Sequence, residues 1–86
     1  MTNLGYFLSD DAIQRINPAA APIMRFFVTE HLPPHLQIVS EPFRALAHML
    51  VADIPPSAEL TAGLRKLLEA KDCAVRAALG PPGQQG

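Results

Sequence analysis

The side chains in this sequence that are best suited to chemistry are four cations in its C-terminal third. They are Arg65, Lys66, Lys71 and Arg76. Guanidinium and ammonium groups donate several charge-assisted hydrogen bonds, which is the chemistry that binds phosphate or carboxylate groups. Alternatively, the two arginines form a solvated helix face with Glu69 and Asp72, held by weak ion pairs. The cations are therefore candidates for contacts with an anionic ligand.

Lys71 is the most unusual of the four, because helical spacing puts it among Leu67, Leu68 and Val75. Its aliphatic stem can run along the apolar surface while the ammonium group reaches water. Alternatively, the ammonium group points into a pocket between subunits, where an anion would satisfy it. Lys66 borders a face of small residues and would lie at a subunit junction.

Three residues nearer the N-terminus are further candidates for ligand binding. His31 and an aromatic neighbour, either Phe26 or the favoured Phe27, carry rings on which a nucleobase can stack. Alternatively, a histidine beside two prolines simply begins a helix or stays exposed. Arg44 belongs to a polar stripe on the first long helix. The members of this stripe are Gln37, Glu41, Arg44 and His48. The stripe is either solvated or forms part of the wall of a polar cavity between subunits.

The sequence offers no catalytic constellation, and we predict that the protein is not an enzyme. Ser9, Ser40 and Ser57 occupy positions typical of helix caps, and Cys73 lies mid-helix without an evident base. The glycines are scattered, so no phosphate-binding loop is formed. Only three histidines and one cysteine are present, so neither a structural zinc ion nor a cofactor is expected.

Length and composition suggest a single small domain that lacks a large core. The chain has 86 residues, of which 49% are hydrophobic and 17% charged, and it has one cysteine. Its net charge of −1 provides no basic field for duplex nucleic acid. The first residues lack a basic signal-peptide region, and no apolar run reaches membrane-spanning length. We therefore expect a cytoplasmic protein.

The N-terminal quarter predicts a short helix followed by an extended segment. Ser9 can cap a helix that Asn17-Pro18 ends, so residues 1–22 form an N-terminal arm with a short helix. Residues 23–29 are rich in aromatic and β-branched side chains, which indicates an extended arm or a short strand.

Two long helices follow and should fold back as an antiparallel hairpin within residues 23–79. The first begins at Leu32-Pro33-Pro34 and ends near Ile54. Pro42 either kinks it or marks a restart capped by Ser40. The second begins after Ser57 and ends at Leu79, and residues 80–86 form a disordered tail.

Each long helix has more apolar surface than its partner in the hairpin can cover. The faces predicted to pack within one chain are Leu36, Val39, Phe43, Leu46, Ala47, Leu50 and Ile54 on the first helix, and Leu60, Leu64, Leu67, Leu68, Val75 and Ala78 on the second. Each helix also has a second non-polar face. It consists of Ile38, Ala45, Met49 and Ala52 on the first helix, and of Ala62, Gly63, Ala70, Cys73, Ala74 and Ala77 on the second. The predicted fold is thus all-α, a hairpin that assembles as a homo-oligomer; alternatively, the alanines only favour helix on an exposed face.

The second long helix also resembles a known family. The segments that carry the resemblance are Pro56-Ser57-Ala58-Glu59, Leu64 to Ala70, Ala74 and Ala77-Ala78-Leu79. They are similar to the helical-hairpin domain of phage anti-CBASS and anti-Thoeris sponge proteins, as are the aromatic arm, His31 with its proline, and Ala47. The resemblance covers roughly residues 26–79. This sequence departs from the family at Lys71-Asp72-Cys73, where aromatic or amide residues are common.

The resemblance implies a phage anti-defence protein that sequesters cyclic nucleotide immune signals in the host cytoplasm without cleaving them. It also implies a homo-oligomer, with a hexamer favoured, and pockets between subunits for a cyclic di- or trinucleotide or a cyclic ADP-ribose-type ligand. The alternative function is a structural or adaptor protein whose helix faces bind another phage or host protein.

Overall fold

The computed structural model describes residues 7–80, which are all-helical and contain no strand. The elements are α1 (Asp10–Ile16), α2 (Ala21–Met24), a 3₁₀ helix (Arg25–Phe27), α3 (Pro34–Asp53) and α4 (Ala58–Leu79). The all-α prediction is confirmed for this range. The part of the predicted N-terminal arm before Phe7, and the predicted disordered tail after Gly80, lie outside the described residues.

The short helix α1 begins and ends at the predicted residues. The Ser9 hydroxyl accepts a hydrogen bond from the Ala12 amide at 3.1 Å, which satisfies one of the first amide groups of the helix. At the other end, the Asn17 side-chain oxygen accepts from the Ala20 amide at 3.1 Å. Asn17 therefore ends α1 and also shapes the turn that leads into α2.

The predicted extended arm at residues 23–29 is wrong, because residues 21–27 are helical. Met24 and Phe27 are buried at 4% and 1% exposure, whereas Phe26 is 65% exposed. A helical turn places Ile23, Met24 and Phe27 on one side of the backbone, where they enter the core. Burial of these side chains outweighs the weaker local preference of aromatic and β-branched residues for strands.

The helix α3 continues through Pro42, so the predicted restart capped by Ser40 is wrong. The Ser40 hydroxyl is buried and has no hydrogen-bond partner. Pro42 lacks an amide hydrogen, so the Ile38 carbonyl loses its helical donor. A single continuous helix therefore has one gap in its hydrogen-bond ladder, on the side where Ile38 is exposed.

The helix α4 has the predicted caps at both ends. The Ser57 hydroxyl accepts from the Leu60 amide at 3.0 Å, and Gly80 ends the helix with a φ of 87°. Only glycine adopts this backbone region without steric cost.

The core lies where α2 and the 3₁₀ helix meet α3 and α4, which pack against each other. Its buried apolar members are Ile13, Ala20, Ala21, Ile23, Met24, Phe27, Ala47, Val51, Leu60 and Leu64. Leu46, Ile54 and Ala78, predicted to pack in the hairpin, are exposed, whereas Val51 is fully buried. The buried face of α3 is displaced because the N-terminal helices, and not α4 alone, cover it.

Candidate functional site

A polar stripe on α3 binds the segment of chain that precedes the helix. The Thr29 hydroxyl donates to the Glu41 carboxylate at 2.8 Å, and the Gln37 side-chain amide donates to the Leu32 carbonyl at 2.7 Å. Arg44 also lies 3.7 Å from the Glu41 carboxylate, one helical turn away. Gln37 and Glu41 therefore hold the preceding chain against α3, and the stripe is only partly solvated, with the Glu41 side chain 43% exposed.

The other end of this stripe clasps Phe7 and Leu8. The Leu8 amide donates to Nδ1 of His48 at 2.9 Å, and the Phe7 and His48 ring centroids lie 5.3 Å apart. The Arg44 guanidinium lies 4.7 Å from the centroid of the Phe7 ring, in a cation–π contact of about 0.5–2 kcal/mol. We call this arrangement of Phe7, Leu8, Arg44 and His48 the His48 clasp.

His48 is 5% exposed, and its surroundings disfavour a proton. Burial lowers its pKa from the ordinary value of 6.5, and the Arg44 charge lowers it further. The carboxylates of Asp10 and Glu41 act in the opposite direction but do not reverse the shift. Because Nδ1 accepts the Leu8 amide, the neutral ring carries its proton on Nε2.

Beside the clasp, two adjoining grooves run along the outer side of α3. Their volumes are about 560 and 420 Å³, and both are lined by Ile38 and Glu41. The other lining residues are Thr29, Glu30, Pro34, Gln37 and Arg44 in the larger, and Phe7, Pro42 and Ala45 in the smaller. Ile38 lines both grooves and is 75% exposed, so an apolar side chain lies open to solvent at their junction. We call the two adjoining grooves together the Ile38 groove.

The four cations on α4 that are predicted to bind a ligand differ in their exposure to solvent. Arg65, Lys66 and Arg76 are exposed, and Arg76 also donates to the Cys73 sulfur at 3.4 Å. The Lys71 ammonium lies 3.0 Å from the Asp72 carboxylate, and the Lys71 side chain is 13% exposed. The Lys71 charge is thus paired with Asp72 within the chain, and neither alternative for Lys71, a solvated ammonium group or a pocket between subunits, is decided by one chain.

The two candidates that carry rings, Phe27 and His31, also differ in their exposure to solvent. Phe27 is a core residue, so the prediction that its ring stacks on a ligand is wrong. Its neighbour Phe26 is the exposed ring. His31 is exposed in the turn between the 3₁₀ helix and α3.

None of the three grooves described for residues 7–80 is lined by both Arg44 and a predicted ligand-binding cation of α4. Arg44 lines the Ile38 groove but is already engaged by Phe7 and Glu41, and Arg65, Lys66, Lys71 and Arg76 lie on a different helix. The sequence pattern placed His48 in the polar stripe of α3 but did not predict its contacts with Phe7 and Leu8. The spacing of four polar side chains on one face of α3 was the signal that another segment of the chain could form hydrogen bonds there.

A third groove of about 310 Å³ lies where α3 and α4 are connected. It is lined by Leu50, Ile54, Ser57, Glu59, Leu60 and Gly63. A β-carbon added at Gly63 would meet nothing within 4 Å. Within one chain, therefore, no close packing offsets the cost of a glycine inside α4.

Two further properties of residues 7–80 bear on function. No group of three or more His, Cys, Asp or Glu side chains in that range is arranged to hold a metal ion. None of the helices described there is long and apolar enough to cross a membrane. Comparison of the chain with known protein families, with curated proteins and with solved structures found no match.

Proposed function

We propose that this chain is a binding protein that self-associates through the outer faces of an antiparallel α3–α4 hairpin. The observation that carries the proposal is the amount of apolar surface left uncovered in one chain. Its large exposed side chains are Ile16, Phe26, Val28, Ile38, Leu46, Ile54 and Leu79. Of these, Ile38, Leu46 and Leu79 lie on α3 and α4, where a neighbouring copy would remove them from water. Copies of the chain that meet through these faces would form a homo-oligomer, and the resemblance to the anti-CBASS and anti-Thoeris sponge proteins favours a hexamer.

The proposed ligand is an anionic cyclic nucleotide held between copies and released unchanged. Arg65 and Lys66 support this because both are exposed and adjacent on α4, next to the small side chain of Ala62. Small side chains let another helix approach closely, which would bring a second copy near these cations. The resemblance to anti-CBASS and anti-Thoeris sponge proteins supplies the ligand class and the host cytoplasm as its place of action.

Solution mass is the first test of this proposal. Light scattering and native mass spectrometry at micromolar concentration should show an assembly larger than one chain of 9.3 kDa. A stably folded monomer at that concentration would contradict self-association and the shared pocket with it.

Ligand binding is tested by calorimetry against cyclic di- and trinucleotides and cyclic ADP-ribose isomers. We expect saturable, salt-sensitive binding by the wild type and a loss of about tenfold or more in the variant Arg65→Glu/Lys66→Glu, since charge-assisted hydrogen bonds contribute about 1.5–3 kcal/mol each. The matched control is Arg15→Glu/Arg25→Glu, which makes the same charge change at two exposed residues outside α4. Only dilution heats across the panel, or equal loss in both double variants, would contradict the ligand proposal.

The alternative function, an adaptor for another phage or host protein, is favoured by one observation, the open Ile38 groove. The variant Ile38→Glu separates the two functions. If copies of this chain cover the groove, the variant lowers the solution mass. An unchanged mass, together with deuterium exchange showing the groove uncovered in the assembly, would favour an adaptor surface.

A further inference from the structure

We propose that His48 is a proton-operated latch, which holds Phe7 and Leu8 on α3 while its ring is neutral and releases them when the ring is protonated. The proposal is independent of the ligand and of the oligomeric state, because each contact that carries it lies within one chain.

The latch depends on one hydrogen bond between the Phe7–Leu8 segment and α3. The Leu8 amide donates to Nδ1 of His48 at 2.9 Å, which requires a lone pair on that nitrogen. Protonation converts Nδ1 into a donor, so two N–H groups would face each other at hydrogen-bond distance. The Leu8 amide would then lose its acceptor in a half-buried place, which is costly unless the segment moves out to water.

The charges around the ring come from two elements. On α3, the Arg44 guanidinium, which also contacts the Phe7 ring, repels an imidazolium, whereas the Glu41 carboxylate attracts it. On α1, the Asp10 carboxylate also attracts it. Burial is the largest influence, and the net effect is a pKa below 6.5 in the folded chain. Neutral His48, and with it the closed latch, is therefore the form present at neutral pH.

The dependence on pH has a definite sign. An unfolded chain takes up the proton at about pH 6.5, and the folded chain only at lower pH. Between the two values the unfolded state binds more protons, so stability decreases as pH falls through this window. Opening the latch gives the ring access to water and relieves this penalty. Mild acid should therefore open the clasp before it unfolds the core.

Release of the clasp would change the surface of α3. Phe7 is part of the lining of the smaller opening of the Ile38 groove, and its ring occupies one side of the Arg44 guanidinium. With Phe7 displaced, the groove widens towards Ala45, and Arg44 gains a free face for an anion or for water. The latch would thus link pH to access at the one predicted ligand-binding cation that lies on α3.

The test is an NMR titration of the full chain from about pH 8 to about pH 5. The ring proton signals of His48 and the amide signal of Leu8 should move with one common midpoint. The protection factor of the Leu8 amide, corrected for the intrinsic effect of pH on exchange, should fall about tenfold or more, while amides of Val51 and Leu64 stay protected. A Leu8 amide that is unaffected while His48 titrates would overturn the proposal.

The matched variant is His48→Asn, whose side-chain oxygen can accept near the position of Nδ1 but does not titrate. We expect the change at Leu8 to disappear in this variant and to persist in His31→Asn, which removes an exposed histidine. The same change at Leu8 in His48→Asn would show that another group controls the segment. Circular dichroism establishes that each variant is folded, and the wild-type titration decides the question if His48→Asn is not.

Discussion

Two regions flank α3, and they contribute very differently to the core. The N-terminal helices supply Ile13, Ile23, Met24 and Phe27, all buried. The last three turns of α4, residues 69–79, supply no buried residue, although they are helical throughout. On sequence grounds the first region is a short helix, a linker and an extended arm, and the second is half of a hairpin.

The difference shows that helix formation and burial have separate causes in this chain. The end of α4 is rich in alanine, which favours helix without needing a partner. The segment 21–27 has poorer helix formers and is helical because one side of it is buried. The end of α4 is therefore helical without a buried side chain of its own, whereas the N-terminal helices are part of what keeps the chain folded.

The largest expected effect is at Phe27. Phe27→Ala should lower the free energy of unfolding by about 3–5 kcal/mol, because it leaves a cavity in the core that the surrounding side chains fill only partly. The matched control is Phe26→Ala, which removes the same ring from an exposed position and should change stability by less than about 0.5 kcal/mol. Urea denaturation followed by circular dichroism measures both. Equal losses would show that the N-terminal helices are not the buried region.

Gly63 allows a test of opposite sign. Gly63→Ala should raise the stability of the single chain by about 1 kcal/mol, because alanine is the better helix former and its methyl group meets open space. If another copy packs closely against this part of α4, the same methyl group should weaken the assembly. Denaturation at low protein concentration reports the first effect, and light scattering reports the second. A destabilised single chain would contradict the open environment of Gly63.

The smallest effect is expected at the end of α4. Leu79 is 47% exposed, so Leu79→Ala should cost less than about 1 kcal/mol in a dilute single chain. A loss that grows with protein concentration would place this end of α4 in an interface between copies. A large loss of stability that is independent of concentration would instead mean that the end of α4 is part of the core, as the N-terminal helices are.

Features that depend on neighbouring residues could be predicted from the sequence. Ser9, Ser57 and Gly80 act at helix ends through their own side chains or backbone conformation, so the bounds of α1 and α4 follow from residue type. The residue types near Pro42 left two alternatives for α3, because a proline mid-helix is compatible with a kink or a break. The surrounding contacts decide in favour of one continuous helix.

The candidate site was less predictable. Spacing alone placed Arg65 and Arg76 on one polar stripe of α4, and both are exposed. Arg44 and His48 could not be assigned, because their partners are Phe7 and Leu8, far away in the sequence. Lys71 is similar, since spacing placed it on an apolar face but did not show which way its flexible stem would turn.

By itself, the amino-acid sequence determined the bounds of α1 and α4, since capping and the conformational limits of proline and glycine act over a few residues. Only the tertiary structure decided which of Phe26 and Phe27 enters the core, and which polar stripe is covered. Those outcomes depend on which surfaces meet across the chain, and the free energy of burying Phe27 or desolvating His48 arises only when the N-terminal segment lies on α3.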